Sequence, residues 1–148
     1  MIDLSMSSDI QAPARKVWEA LTDLPRFAEW NPFIRAASGK PALGAKLKVS
    51  VRPWPALPLV FKPTVTVCDE DRELTWRGHF LSRWLASGEH SFTIEPAGDG
   101  RVRFVQREVF TGLLPRLASR LLVREARRGF DAMNQALKRR VERARAAA

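Results

Sequence analysis

Cysteine and histidine are nearly absent from this chain of 148 residues. The single Cys68 rules out an internal disulfide, and two histidines, His79 and His90, with one cysteine give no cluster of zinc-site spacing. No cofactor is expected. Long apolar runs are missing too. None approaches the about 18–20 residues of a membrane span, so stable membrane insertion is not expected. The opening Met1-Ile2-Asp3-Leu4-Ser5 has no basic stretch leading into an apolar core, which argues against a signal peptide and makes a cytoplasmic location the default expectation. Repeats and linkers are absent, and low complexity is confined to the Ala-rich tail from Ala144 to Ala148. With 45% hydrophobic residues, the chain reads as one domain, residues 1–148, large enough to bury a core without staples.

Acidic residues are scarce in one place. From Leu113 onward ten Lys and Arg stand against Glu125, Asp131 and Glu142, so this segment carries +7 of the formal +9. Such a face attracts nucleic acid or anionic lipid, or is simply solvated. No exposed aromatics are interleaved with the arginines for base stacking, so no nucleic-acid partner is expected.

The same segment has the strongest periodicity. Leu114, Leu117, Leu121, Phe130, Met133, Leu137 and Val141 recur at steps of three and four, with Ala126 filling the one gap. This predicts a single long helix from Leu113 to about Arg143, with Pro115 tolerated in its first turn. Gly129 is its weak point, at about 1 kcal/mol relative to Ala, and permits close approach to the backbone. On the opposite face lie Arg116, Arg120, Arg124, Arg127 and Arg128.

The preceding chain supplies the partner for that helix. Leu4 to Ile10 reads as a strand. Pro13 opens a helix with Val17, Trp18 and Leu21 as its buried stripe, and a second helical turn covers Pro25 to Glu29. Trp30-Asn31-Pro32-Phe33 ends it, because a residue before proline leaves the α region. From there the period becomes two. Leu47, Val49 and Val51 form one apolar face, and Phe61, Pro63, Val65 and Val67 another, separated by a proline-rich loop carrying Trp54. Glu70-Asp71 reads as a two-residue turn. Leu74, Trp76, Gly78 and Phe80 then alternate inward, followed by Gly88, His90, Phe92 and Ile94 on a strand from about Leu85 to Glu95. After Ala97-Gly98-Asp99-Gly100 turns the chain, Val102, Phe104, Gln106, Glu108 and Phe110 face inward. Strands followed by a segregated helix predict an α+β fold, with a curved antiparallel sheet of about six to seven strands wrapped around the C-terminal helix.

Several stretches carry a family resemblance: Ile10-Gln11-Ala12-Pro13-Ala14-Arg15-Lys16-Val17-Trp18, Leu21-Thr22-Asp23, Trp30-Asn31-Pro32-Phe33, Leu74-Thr75-Trp76-Arg77-Gly78, Gly88-Glu89-His90-Ser91-Phe92, Glu108-Val109-Phe110-Thr111-Gly112 and Phe130 through Lys138. Together they resemble the helix-grip fold of the SRPBCC superfamily (START, Bet v 1-like, polyketide cyclase/dehydrase). The resemblance implies a mostly apolar cavity between sheet and helix, open at one end. Members range from lipid carriers to cyclases, so it does not choose a reaction.

The expected cavity wall combines Phe33, Val49, Val51, Phe61 and Val65 with Trp76, Gly78, Gly88 and Phe92. Phe104, Gln106 and Phe110 continue it, and Phe130, Met133 and Leu137 face them from the helix. The expected occupant is a hydrophobic small molecule such as a lipid or polyketide. His90 and Glu108 stand out as ionisable residues on this face. If Ile94 faces Phe104 and Phe92 faces Gln106, His90 faces Glu108, with Cβ atoms about 4.5–5.5 Å apart. Such a pair serves either as a proton-transfer site in a cyclase or dehydratase, or as a structural brace at the rim.

Overall fold

In the computed structural model, which describes residues 1–52 and 58–147, the chain opens with β1 (Ile2–Ile10). Pro13 sits at φ −69° and ψ 151°, and α1 (Ala14–Thr22) begins on the next residue, burying Val17, Trp18 and Leu21. A 3-10 turn (Leu24–Arg26) runs into the one-turn helix α2 (Phe27–Trp30). Asn31 then turns the chain. Its buried Oδ1 accepts from the amides of Phe33 at 3.0 Å and Ile34 at 2.8 Å. This local bonding fixes where Phe33 emerges.

The next strand, β2 (Ile34–Ser38), was not expected. A bulge between Ile34 and Ala36 breaks its alternation, and its only large apolar residue is Ile34. It pairs with β3 (Lys48–Val51), which pairs with β4 (Leu59–Phe61), in a three-stranded sheet. The proline-rich loop with Trp54 lies outside the described residues. The strand expected from Phe61 to Val67 is two strands, because Lys62-Pro63 separates β4 from β5 (Thr64–Asp69). Pro63 has no amide to donate to a ladder. Its carbonyl accepts instead from Leu47 at 2.8 Å, while the Val65 amide reaches Ala45 O at 2.9 Å, joining the two sheets.

The larger sheet adds β6 (Glu73–His79), β7 (Ser87–Pro96) and β8 (Val102–Thr111), in the antiparallel order β1-β8-β7-β6-β5. The β5–β6 turn spans Glu70-Asp71-Arg72, three residues and not two, with Asp71 at φ 63°. A bulge after Val65 places Val67 opposite outward-facing Thr75, off the Val65 face. Among the described residues there are eight strands in two sheets, in an α+β helix-grip fold.

The C-terminal segment is two helices, α3 (Leu113–Leu117) and α4 (Ser119–Ala147), not one. The backbone leaves the helical region at Ala118, at φ −105° and ψ 23°. The amides of Leu113 and Leu114 are bonded to the carbonyls of Trp84 and Leu85 at 3.1 and 3.0 Å, which ties α3 to the β6–β7 loop. Leu117 lies on α3 and Leu121 on α4, five residues before Ala126, and both are off the inner face. They are 75% and 54% exposed. Leu122, Ala126, Phe130, Met133, Leu137 and Val141 carry the inner stripe, packing across β1 and β8. Helix α4 runs without interruption through Gly129. The five arginines from Arg116 to Arg128 are exposed. Among the described residues no helix is long and apolar enough to cross a membrane.

Candidate functional site

The β6, β7 and β8 ladders set the site. Trp76 pairs with His90, Gly78 with Gly88, His90 with Glu108 and Gly88 with Phe110. Alternation sends all of these to the concave face. Between that face, the three-stranded sheet and the start of the C-terminal helices lies a cavity of about 370 Å³. Of the residues expected on its wall, Phe33, Val49, Val51 and Phe61 line it, as do Trp76, Gly78, Gly88 and Phe110, together with His90 and Glu108.

The other expected wall residues do not. Val65, Phe92, Phe104 and Gln106 are buried in the core behind it, as are Phe130, Met133 and Leu137. These positions are on the correct face but at the wrong depth. The later part of α4 packs straight onto the sheet there, and the cavity opens only toward the end of the strands that carries α3.

Sequence reasoning missed Ile34, Leu59, Pro63, Ala86 and Ser87, as well as Leu114, Pro115, Ala118, Leu122, Glu125 and Ala126. Phe80 also lines the cavity, continuing the inward alternation of β6. Ala126 and Leu122 sit four and eight residues before Phe130 and were findable by spacing. Nothing in the pattern pointed to Glu125, whose 10% exposed side chain meets Arg124 at 2.9 Å. His79 is exposed but also touches the cavity. Trp30 packs on the core and against Phe27 at 5.2 Å rather than lining the cavity.

Polar chemistry is concentrated in three side chains. His90 Nδ1 lies 3.0 Å from Glu108 Oε2, and its Nε2 lies 2.9 Å from the amide nitrogen of buried Gln106. With that nitrogen donating, the ring accepts at Nε2 and carries its proton on Nδ1, donating to Glu108. Both ring nitrogens are therefore occupied within the protein. The ring stacks on Phe92 at 4.4 Å and tilts against Phe130 at 5.1 Å and Trp76 at 5.8 Å. Glu108 is the more accessible partner, 16% against 7% exposed. Its Oε1 lies over Gly88, where a Cβ would come within 2.5 Å of it, and bonds no other described side chain.

Phe33 is seated differently. Its ring lies on Gly129 of α4 and packs edge-on to Phe130 at 5.6 Å. The Gly129 position thus admits an aromatic ring against the helix backbone. Cys68 is remote from this chemistry. Its thiol donates to Pro41 O at 3.3 Å, and burial, then Glu70 and Asp69, push its pKa up. Among the described residues no three His, Cys, Asp or Glu are grouped to hold a metal ion.

Against known proteins, the sequence profile described as polyketide cyclase / dehydrase and lipid transport matches residues 1–142. No curated protein matches at the sequence level. Among solved structures, the ZhuI aromatase/cyclase of Streptomyces sp. R1128 superposes with a TM-score of 0.79 at 17% identity, covering 96% of this chain and 94% of that one. A START superfamily protein of Mycobacterium smegmatis gives 0.77 at 20% identity, covering 96% and 98%. Norcoclaurine synthase of Thalictrum flavum, in complex with dopamine and hydroxybenzaldehyde, gives 0.72 at 12% identity, covering 96% and 87%. These likenesses are of fold.

Proposed function

We propose that this chain, which belongs to the polyketide cyclase / dehydrase and lipid transport family, holds a hydrophobic small molecule in the cavity between its sheets and its C-terminal helices. The observation that carries this reading is the wall. Val49, Val51, Leu59, Phe61, Trp76 and Phe110 surround about 370 Å³, and the few polar groups on the wall include the paired His90 and Glu108. A concave apolar site with a few convergent polar groups is the usual small-molecule arrangement. The volume suits a ligand of modest size. Titration with the apolar fluorophore N-phenyl-1-naphthylamine tests the proposal. Saturable binding at one site, weakened at least tenfold by Val51→Trp, is expected. Absence of saturable binding, or unchanged affinity in that variant, would remove the cavity from consideration.

The paired carboxylate and imidazole favour a second reading, proton transfer in a cyclase- or dehydratase-type reaction. Glu108 would be the group that exchanges a proton with the ligand, because its Oε1 is the free atom. His90 would act from behind, holding Oε2 and supplying or withdrawing charge, with Gln106 fixing its ring. Turnover of a carbonyl compound that disappears in Glu108→Gln, with N-phenyl-1-naphthylamine affinity kept within threefold, is the expected signature. Turnover that survives this substitution would reduce the pair to a brace of the cavity wall.

A further inference from the structure

Of the nine exposed large apolar side chains among the described residues, all but Met1, Leu43 and Val60 fall on two segments. Leu81 and Trp84 on the β6–β7 loop are 77% and 71% exposed, and Leu113, Leu117 and Leu121 on the first turns of α3 and α4 are 44%, 75% and 54% exposed. The two segments are joined into one surface. Besides the bonds from Leu113 and Leu114 to the loop, Gly112 sits at φ 111°, and a Cβ there would fall 2.6 Å from Leu85 O. Only glycine lets the helix start this close to the loop. The loop is also bonded internally, with Ala86 N donating to Ser82 O at 3.1 Å and Phe80 N to Ala86 O at 2.9 Å. Leu81 is held at φ 62°, an uncommon conformation for leucine. These apolar groups are therefore presented on an ordered frame.

The surrounding charge has one sign. Phe80 to Ala86 and Gly112 to Arg124 contain no Asp or Glu, but do contain Arg83, Arg116, Arg120 and Arg124. Arg116 on α3 and Arg120 and Arg124 on α4 are exposed, as are Leu113, Leu117 and Leu121 on the same two helices. Among the described residues Arg124 has Glu125 as an ion-pair partner, whereas Arg83, Arg116 and Arg120 have none. The sequence alone hides the aromatic in this group, because Trp84 comes from a loop some thirty residues earlier. A tryptophan and leucines projecting beside unpaired arginines match the composition of helices that lie in the membrane interface.

We propose that this face docks on the surface of an anionic lipid bilayer. Leu81, Trp84, Leu117 and Leu121 enter the boundary between headgroups and acyl chains, and Arg83, Arg116 and Arg120 meet the lipid phosphates. Contact is peripheral, with no helix crossing. Leu114, Pro115 and Ala118 of the same turns line the cavity, so the bilayer would lie one helix away from it. The proposal does not depend on what the cavity holds.

Co-sedimentation of the full chain with vesicles of phosphatidylcholine, alone or with one quarter phosphatidylglycerol, tests it. At least tenfold stronger partitioning onto the phosphatidylglycerol vesicles is expected, weakening as salt is raised. Arg116→Gln/Arg120→Gln should lose about fivefold per arginine. Leu117→Ser/Leu121→Ser, which keeps every charge, should lose at least tenfold. A vesicle-induced blue shift of tryptophan emission should appear in the wild type and vanish in Trp84→Phe. Equal partitioning onto both vesicle types would overturn the proposal. So would undiminished binding by the folded double-serine variant, or equally tight binding to polyglutamate without the emission shift, which would identify an acidic polymer as the partner.

Discussion

Replacing Gly129 by alanine sets two effects of similar size against each other. In a helix interior, Ala is favoured over Gly by about 1 kcal/mol. At this position the new Cβ would overlap the Phe33 ring, falling 2.8 Å from Cγ and nearer still to Cδ2 and Cε2. Carbon atoms pack at about 3.5–4.0 Å, so the ring must move by more than about 0.7 Å. It is poorly placed to do so. The Phe33 amide is held by Asn31 Oδ1 at 3.0 Å, its carbonyl accepts from Arg52 at 3.3 Å, and the ring packs on Phe130. Overpacking of this kind costs about 1–3 kcal/mol. Gly129→Ala should therefore destabilise by about 1 kcal/mol net, lowering Tm by about 2–4 °C. In a Phe33→Ala background the obstacle is gone, and the same substitution should stabilise by about 1 kcal/mol. Chemical denaturation of the four proteins of this cycle gives a coupling of about 2 kcal/mol if the seating is real. Stabilisation by Gly129→Ala in the wild-type background would show that Phe33 does not rest on this helix.

Gly88→Ala should displace the Glu108 carboxylate, whose Oε1 would lie 2.5 Å from the added Cβ. Its cost in stability should be small because the obstacle is the end of a flexible side chain, while the NMR signals of the His90 ring should shift clearly; an unchanged ring spectrum would mean the two side chains are not coupled. Glu142 accepts from Lys138 Nζ at 2.8 Å and from the Gln11 amide at 2.9 Å, bonds that, with desolvation opposing, hold its carboxyl below the usual value. A depressed folded value gives stability that is full above the unfolded pKa of about 4.3 and is lost as pH falls through the folded pKa. Glu142→Gln should thus cost up to about 1 kcal/mol at neutral pH and nothing in strong acid, as read by denaturation at several pH values. Cys68, with its thiol pKa pushed up by burial, should react with iodoacetamide near pH 8 several times more slowly than a small-molecule thiol, and reaction at the full rate would show that the strand carrying it opens readily.

Face was legible in the sequence, whereas depth and breaks were not. Period-two alternation placed Trp76, Gly88, His90, Glu108 and Phe110 inward, and counting back from the β7–β8 turn gave the register that pairs His90 with Glu108. That works because the ladder between β7 and β8 has no bulge. Where bulges occur, after Ile34 and after Val65, the same counting missed a strand in one case and turned Val67 to the wrong face in the other. The apolar helical stripe was correct from Ala126 to Val141, and of its earlier members Leu114 reaches the cavity whereas Leu117 and Leu121 face solvent. Leu121 lies five residues before Ala126, off the stripe, and upstream of it the helix breaks at Ala118, where α3 is bonded to a loop distant in sequence. Periodicity within a segment carries no information about such an anchor.

The glycines show why a cavity is harder to read than a sheet. Gly78 and Gly88 are cross-strand partners on the concave face, and two missing side chains suggest empty space that larger residues would fill. Neither site is empty. A Cβ on Gly78 would meet Pro63 at 3.3 Å, where the corner between the two sheets folds over β6. At Gly88 the space is taken by the Glu108 carboxylate. The first glycine lets the small sheet close against the large one, which shapes the cavity. The second lets a carboxylate lie flat on the sheet with one oxygen on His90 and the other unbonded. A residue with a side chain at Gly88 would drive the Glu108 carboxylate away from the imidazole. Both glycines therefore act through neighbours that sequence alternation does not reveal, one in a connecting corner and one on an adjacent strand.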